Sequence, residues 1–177
     1  SAGRFARDEQ GALLYRVVRL RDISAAREAV EALAQSENQF RSAMQNAPTG
    51  MCLIGTDGSF LQVNEALCQL LGRPAQALMR SSWQEFTHPD DVDVDLDFAT
   101  QALSGELDTY RLVKRYLRPD GAVVWGDLSV SAVRDANGGV VHFVSQILDI
   151  SELKRDQQQT AAAISRYQRL AGVGNDV

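Results

Sequence analysis

The sequence has few of the residues that build membrane spans, disulfide frameworks or metal sites. No apolar run approaches the roughly 20 residues of a membrane-spanning helix, and the start shows no signal-peptide pattern. The two cysteines, Cys52 and Cys68, lie in apolar segments without partners at metal-ligand spacing. We expect no membrane insertion within this segment, no metal site, no disulfide and a reducing, cytoplasmic location. The parent protein could still carry an anchor elsewhere.

Basic residues are also in the minority, and catalytic patterns are missing. The chain has 18 Lys and Arg against 23 Asp and Glu, a formal net charge of −5. A nucleic-acid surface needs clustered basic residues, so we expect no nucleic-acid partner. We find no Ser/His/Asp or Cys/His arrangement, no phosphate-binding glycine loop and no carboxylate pair in an apolar setting. We therefore predict no catalytic residues and interpret the Asp and Glu residues as surface charge.

What the sequence does contain is an internal repeat. The stretch RDEQGALLYRVVRLRDISAAREA aligns without a gap with RDANGGVVHFVSQILDISELKRD, which lies 127 residues later. Each copy is typical of a turn, a strand and a helix that begins at Asp-Ile-Ser. With this period, only one complete unit fits in the chain. Residues 1–22 are then predicted to be the C-terminal strand of a preceding unit. The chain lacks an initiating Met, and we therefore interpret it as an excised fragment.

Helix-forming segments flank the complete unit. Residues 23–47 predict a linker helix and residues 150–171 a C-terminal helix, both with apolar positions at alternating spacings of three and four. That spacing is typical of paired helices, although Glu37, Gln157 and Thr160 interrupt it and predict weak seams. We expect a homodimer through these helices; the alternative is a single amphipathic helix lying on its own domain. The predicted seam residues are Ile23, Val30, Leu33, Phe40, Leu153, Ile164 and Tyr167.

The complete unit, residues 48–149, predicts two strands, several short helices and three further strands. Asp57 and Gly58 form a hairpin signal, and Asn64 can cap a short helix that Gly72 ends. The segment HPDDVDVDLDFATQALSGE fits both strand alternation and a helical face. We choose helix, because a proline and two aspartates suit a first helical turn.

Together these pieces resemble a PAS domain with its C-terminal PAC-type motif. The segments NEALCQLLG, WQEFTHPDD, RYLRPDGAVVW and LDIS occur in this order and cover essentially all of residues 38–155. The resemblance implies an α+β PAS fold, a five-stranded antiparallel sheet with short flanking helices, plus coiled-coil-like N- and C-terminal signalling helices. It also implies a tandem-PAS bacterial signalling protein with neighbouring PAS units and an output domain, either a histidine kinase of a two-component system or a cyclic-dinucleotide enzyme. Residues 172–177 could begin a next unit.

The resemblance allows cofactors to be tested residue by residue. The light-sensing branch of the family uses a cysteine where this chain has Trp83, and amide side chains where it has Tyr116, Gly126 and Ile147. A covalent flavin adduct is therefore not expected. Haem is not expected either, because His88 lies where the family more often has a structural cap. The cofactor, if any, stays unknown.

The resemblance further implies which side chains face a pocket. The expected inward set is mostly apolar with a few polar groups, which fits a small-molecule pocket and also a packed core, the interpretation that we prefer. The ligand-pocket candidates are Tyr110, Leu112, Lys114, Tyr116, Leu128, Phe143, Ser145 and Ile147, and the same face continues through Val124, Gly126, Val130 and Val141.

The junction of Asp149, Ile150 and Ser151 is the predicted site of signal relay. A ligand- or neighbour-induced change in the sheet would shift the last strand, and Asp149 could cap the outgoing helix in a capping box with Glu152. We predict a sensory and relay PAS module of a multidomain signal-transduction protein. The alternative is a constitutive dimerisation or docking module without a ligand.

Overall fold

The structure, a computed structural model, describes residues 3–7, 9–10, 13–18 and 24–172. The chain divides into two compact units, Ser1–Arg41 and Ser42–Val177. In the first unit, strands β1 (Gly3–Arg7) and β2 (Leu13–Val18) pair antiparallel. Helix α1 (Ser24–Gln45) follows and matches the predicted linker helix. The predicted seam residue Ile23 lies outside the described residues.

The second unit contains the five-stranded antiparallel sheet that the resemblance implies. Its strands run in the order β4-β3-β7-β6-β5, and every neighbouring pair is antiparallel. Short helices connect the first two strands to the last three, and a long helix leaves the last strand. The elements are β3 (Gly50–Ile54), β4 (Phe60–Val63), α2 (Glu65–Leu71), α3 (Ala75–Leu78), a 3-10 turn (Trp83–Phe86), α4 (Pro89–Ser104), β5 (Thr109–Leu117), β6 (Val123–Arg134), β7 (Val140–Asp149) and α5 (Ser151–Gly172).

Local signals in the sequence set most of these boundaries. Gly58 adopts a positive φ of 86° in the β3–β4 hairpin, a conformation that side chains with a Cβ rarely adopt. Gly72, with φ 65°, ends α2 as predicted. The acidic segment is a helix, as predicted, and the Nδ1 atom of His88 caps it by accepting a hydrogen bond from the Asp90 amide at 3.3 Å.

The core lies between one face of the sheet and the short helices. The inward positions on β5, β6 and β7 are mostly buried, in line with the predicted alternation. Val141 is the exception, because it is 54% exposed. Val133 pairs with His142 and Arg134 pairs with Val140, so a bulge leaves Val141 unpaired. The prediction that Val141 faces inward is therefore wrong, and Val140 packs against the core instead.

The N-terminal hairpin has the same strand register as the β6–β7 hairpin. Its pairs are Gly3–Val18, Arg4–Val17, Phe5–Arg16, Ala6–Tyr15 and Arg7–Leu13. Adding the repeat offset to each number gives the β6–β7 pairs from Val130–Ser145 to Arg134–Val140, including the register shift at the same step. The repeat is thus structural, and it contains two strands where the sequence predicted one. That residues 1–22 belong to a preceding PAS unit stays a prediction.

The buried side chain of Asn64 connects the end of α1 to strand β3 and helix α2. Asn64 is 1% exposed, and its Oδ1 accepts hydrogen bonds from the amides of Met51 and Leu67, both at 2.9 Å. Its Nδ2 donates to the carbonyl oxygens of Met44 at 3.0 Å and Thr49 at 2.9 Å. The Asn64 side chain therefore forms hydrogen bonds with four backbone groups from three parts of the chain.

We expect Asn64→Ala to lower the free energy of unfolding by roughly 2–4 kcal/mol, because it leaves several backbone groups without partners at a buried site. Urea denaturation followed by circular dichroism would measure the loss. Asn46→Ala is the matched control, since the Asn46 side chain is exposed and bonds only to Ser42. Equal losses in the two variants would contradict this account of Asn64.

Candidate functional site

A cavity of about 180 Å³ lies between the inner face of the sheet and helix α4. Close-packed protein interiors contain few voids larger than a water molecule, and this volume would hold about six waters at their liquid volume of roughly 30 Å³ each. The sequence left a packed core and a small-molecule pocket as alternatives, and a cavity of this volume favours the pocket.

Seven of the eight pocket candidates line the cavity. Leu112 is the exception, because it packs against the core beside the cavity. Whether these residues bind a ligand stays a prediction. The seven that line the cavity are Tyr110, Lys114, Tyr116, Leu128, Phe143, Ser145 and Ile147.

A buried ion pair forms the polar end of the cavity. Lys114 on β5 and Asp95 on α4 are each 2% exposed, and the Nζ atom of Lys114 donates a hydrogen bond to Oδ2 of Asp95. The same Nζ donates to Oγ1 of Thr87 at 2.8 Å. The ammonium also lies over two aromatic rings, 4.8 Å from the ring centre of Trp83 and 4.6 Å from that of Tyr116.

Burial and the charge of Asp95 shift the pKa values of several groups that line the cavity. Burial lowers the pKa of Lys114, and the carboxylate of Asp95 opposes that shift by favouring the ammonium form. Burial, together with Asp95, raises the pKa of Tyr110, whose hydroxyl donates to Oδ1 of Asp95 at 3.1 Å. Burial also raises the pKa of Cys52 to about 12, so its thiol is neutral and a poor nucleophile.

The sequence analysis missed Asp95, which it grouped with the surface charges. That interpretation is wrong for this residue. Asp95 lies three residues after Val92 and four before Ala99, so the three side chains share one face of the helix, and Asp95 is the buried one among them. A lysine at an inward position of β5 is the second signal, because a buried ammonium requires a partner.

The other side of β5 is also fixed to α4. Arg115, the residue after Lys114, donates from Nη2 to Oδ1 of Asp91 at 2.7 Å and from Nε to Oδ2 at 3.0 Å. Its Nη2 also reaches Asp90 at 3.1 Å. The guanidinium holds the pKa of Asp91 below its ordinary value through these hydrogen bonds, despite an opposing effect of burial. Two neighbouring side chains of β5 therefore hold one helix.

The predicted relay residues meet Trp125 at the start of α5. The backbone amide of Trp125 donates to Oγ of Ser151 at 2.9 Å, and the Ile150 amide donates to the Trp125 carbonyl at 2.9 Å. Oδ1 of Asp149 accepts from the Ser151 amide at 2.9 Å. Glu152 makes no hydrogen bond back to Asp149, so the described junction lacks the reciprocal half of a capping box.

The ring of Trp125 adds a side-chain contact that the sequence analysis missed. Nζ of Lys154, on the first turn of α5, lies 5.2 Å from the ring centre, and the Arg115 guanidinium lies 5.7 Å from it. In the sequence, Trp125 is only the last residue of the segment RYLRPDGAVVW, and no local pattern predicts its contacts.

The predicted seam residues on the two long helices are solvent-exposed in the single chain. Exposure ranges from 48% for Phe40 to 77% for Tyr167. Met44, the next heptad position of α1, is buried, so the exposed seam ends before it. The exposed members are Val30, Leu33, Phe40, Leu153, Ile164 and Tyr167.

Neither a cluster of metal-ligating side chains nor a membrane-spanning helix is found among the described residues. Among residues 24–172, no three His, Cys, Asp or Glu side chains cluster in a way that could hold a metal ion. None of the helices described there has the length and apolar character needed to cross a bilayer. Trp83 lines the cavity where the light-sensing branch of the family was expected to carry its cysteine.

The fold and its cavity define a PAS domain, and comparison with known proteins agrees. Residues 38–150 match the family model described as PAS fold. This chain belongs to the PAS family. The PAS domain of a protein from Colwellia psychrerythraea has the same fold, with a TM-score of 0.60 at 16% identity over 65% of this chain and 97% of that one.

Curated relatives are multidomain signalling proteins. The probable diguanylate cyclase DgcE of Escherichia coli is 41% identical over 145 residues, which cover 80% of this chain and 13% of DgcE. The C4-dicarboxylate transport sensor protein DctS of Rhodobacter capsulatus is 28% identical over 145 residues, covering 79% of this chain and 22% of DctS. The chain is thus similar to a part of each protein and spans less than a quarter of either.

We expect Asp95→Ala to lower the free energy of unfolding by about 3–5 kcal/mol, because it leaves the buried Lys114 ammonium without a counter-charge. The double variant Asp95→Leu with Lys114→Met should come within about 1 kcal/mol of the wild type, since it removes both charges. Urea denaturation measures both.

Asp97→Ala is the control for this pair of variants, because Asp97 is exposed on the same helix. It should change stability by no more than about 0.5 kcal/mol. A loss at Asp95 as small as that at Asp97 would show that the ion pair is not a buried, coupled unit.

Proposed function

We propose that this chain is a sensory and relay module of a multidomain signal-transduction protein, in which a change at the cavity reaches helix α5 and an output domain. The observation that carries the proposal is a series of contacts from the cavity to the first turn of α5. It runs from Lys114 to Asp95, along one turn of α4 to Asp91, and then to Arg115, Trp125 and Lys154.

The first step of the relay is mechanical coupling of α4 to β5. Lys114 holds Asp95 from the inner face of the strand, and Arg115 holds Asp91 through two parallel hydrogen bonds. Since Asp91 and Asp95 are one helical turn apart, α4 cannot move relative to Lys114 without straining the Arg115 contacts.

The second step crosses the sheet to the outgoing helix. Arg115 and Trp125 are direct partners in the β5–β6 register, and the Trp125 ring contacts both the Arg115 guanidinium and the Lys154 ammonium. The backbone of Trp125 binds Ile150 and Ser151 as well. A displacement of Arg115 would therefore act on the first turn of α5, which supports the predicted relay role of Asp149, Ile150 and Ser151.

The relatives support an output domain elsewhere in the parent protein. DgcE is a probable diguanylate cyclase and DctS a transport sensor protein, and in both the matching part is a small fraction of the whole. We infer that this chain is itself non-catalytic, lies in the cytoplasm and controls a cyclic-dinucleotide enzyme or a histidine kinase. The shared register of the β1–β2 and β6–β7 hairpins supports a preceding PAS unit formed in part by residues 1–22.

The partner that we infer for the long helices is a second copy of this chain. On α5 the apolar residues Leu153, Ile164 and Tyr167 follow heptad spacing and are all more than half exposed. An exposed apolar stripe of this kind is stabilised when the same stripe on the helix of a second copy covers it. Polar residues at Gln157 and Thr160 weaken the seam, so two registers could be close in free energy.

The relay is tested by a double-mutant cycle read at α5. We expect Asp95→Asn to change amide hydrogen exchange in the first turn of α5, because it releases α4 from Lys114. In a Trp125→Leu or an Asp149→Ala background the same substitution should have little effect there. The coupling energy expected for linked sites is on the order of 0.5–2 kcal/mol.

Asp97→Asn serves as the input control, because it neutralises an exposed aspartate of the same helix. If α5 responds to Asp95→Asn equally with and without Trp125, the proposed route through Trp125 is refuted.

The dimer is tested by charge substitution in the seam. We expect sedimentation equilibrium to show a dimer of the wild-type chain, and Ile164→Asp to weaken it by more than about tenfold, since it places a carboxylate at an apolar contact. Gln158→Asp, outside the seam on the same helix, should leave the dimer intact. A monomeric wild type would instead favour the interpretation of α5 as an unpaired amphipathic helix.

A further inference from the structure

The volume of the cavity limits its occupant to a small molecule. Apolar cavities of about 150 Å³ can bind a benzene ring, so about 180 Å³ leaves space for one ring and a small substituent. Aromatic side chains form much of the wall and would stack on such a ring or meet it edge to face. They are Phe60, Trp83, Phe86, Tyr110, Tyr116 and Phe143.

The charges in the cavity disfavour an ionic occupant. Three charged residues line it, and of these Asp57 is exposed while Lys114 and Asp95 are buried and neutralise each other. An anion beside Lys114 would also lie close to the carboxylate of Asp95, and a cation beside Asp95 would lie close to the ammonium. In either case an uncompensated charge would be buried at low dielectric, which is costly.

Polar groups in the cavity wall remain available for a ligand, among them those of Lys114 and Gln84. Lys114 has three N–H donors, and protein oxygen atoms accept from it at Asp95 and Thr87. Oε1 of Gln84 is buried and has no hydrogen-bond partner among the described residues, although Gln84 lines the cavity. An orphaned acceptor is satisfied by a ligand N–H, and a spare ammonium proton by a ligand carbonyl.

We propose that the cavity binds an uncharged single-ring molecule that carries a carbonyl group with an adjacent N–H, the chemistry of an aromatic primary amide. The carbonyl oxygen accepts from Lys114, the amide N–H donates to Gln84, and the ring lies among the aromatic side chains. This inference rests on the proposed sensory function and names the chemical class of its ligand.

Benzamide and benzoate provide a matched pair of probes, because they have nearly the same shape and differ in charge. Isothermal titration of the wild-type chain at neutral pH should show benzamide binding at least about tenfold more tightly than benzoate. Equal or tighter binding of benzoate overturns the proposed chemistry, and so does the absence of benzamide binding.

Substitution of Asp95 should reverse this preference. Asp95→Asn keeps the shape of the side chain and removes the carboxylate that neutralises Lys114. Benzoate should then gain at least about tenfold in affinity, because the ligand replaces the missing counter-charge. Asp97→Asn should leave both affinities unchanged. An unchanged preference in folded Asp95→Asn overturns the role of the ion pair in selection.

Gln84→Leu gives a second variant in case Asp95→Asn does not fold. It should weaken benzamide several-fold and benzoate much less, since benzoate has no N–H for Gln84. Equal weakening of both probes overturns the role of Gln84. The hydrogen-exchange cycle at Trp125 does not involve either probe. Failure of the probes with an intact cycle therefore rejects the ligand class alone, whereas probe binding without coupling rejects the relay.

Discussion

The buried ion pair of Lys114 and Asp95 joins helix α4 to strand β5 at the polar end of the cavity. Taking both charges out of water costs several kcal/mol, and their mutual attraction offsets this only with good geometry and further hydrogen bonds. Thr87 and Tyr110 supply those bonds, one to each partner. Tyr110 lies on β5 and Thr87 in the segment that leads into α4, so these bonds also hold α4 against β5.

The same pair makes one end of the cavity polar. Apolar side chains of similar volume could replace it, and such a replacement often stabilises a protein. A charged pair instead demands specific partners at specific positions. A costly pair kept beside a cavity supports the proposed binding site, since selectivity depends on polar groups that a packed core does not need.

The sequence predicted the features that depend on neighbouring residues and missed those that depend on distant ones. The turn at Gly58, the cap at Asn64 and the helix at the acidic segment follow from neighbouring residues, and the structure agrees with all three. The outward turn of Val141 depends on how β6 and β7 pair, which no local signal gives. The burial of Asp95 depends on Lys114, nineteen residues away, and on the rotation of α4.

Trp125, which lies on the proposed route from the cavity to α5, could likewise not be identified from the sequence. Its importance comes from partners on three elements, Arg115 on β5, Ile150 and Ser151 at the junction, and Lys154 on α5. The resemblance pointed to the junction because the family places its outgoing helix there. It could not show which residue of the neighbouring strands the junction binds, because that contact exists only in the folded sheet.

The alternation of side chains along β5 makes the coupling specific. Successive residues of a strand point to opposite faces, so Lys114 enters the cavity while Arg115 points toward the outer face of the sheet. Both bind carboxylates of α4, and the strand is therefore held from both sides by one helix. A helix held by apolar contacts alone could slide over the sheet without disturbing the outer face. Here, a shift of α4 that alters Lys114 must also alter Arg115, whose guanidinium contacts the tryptophan that binds the start of α5.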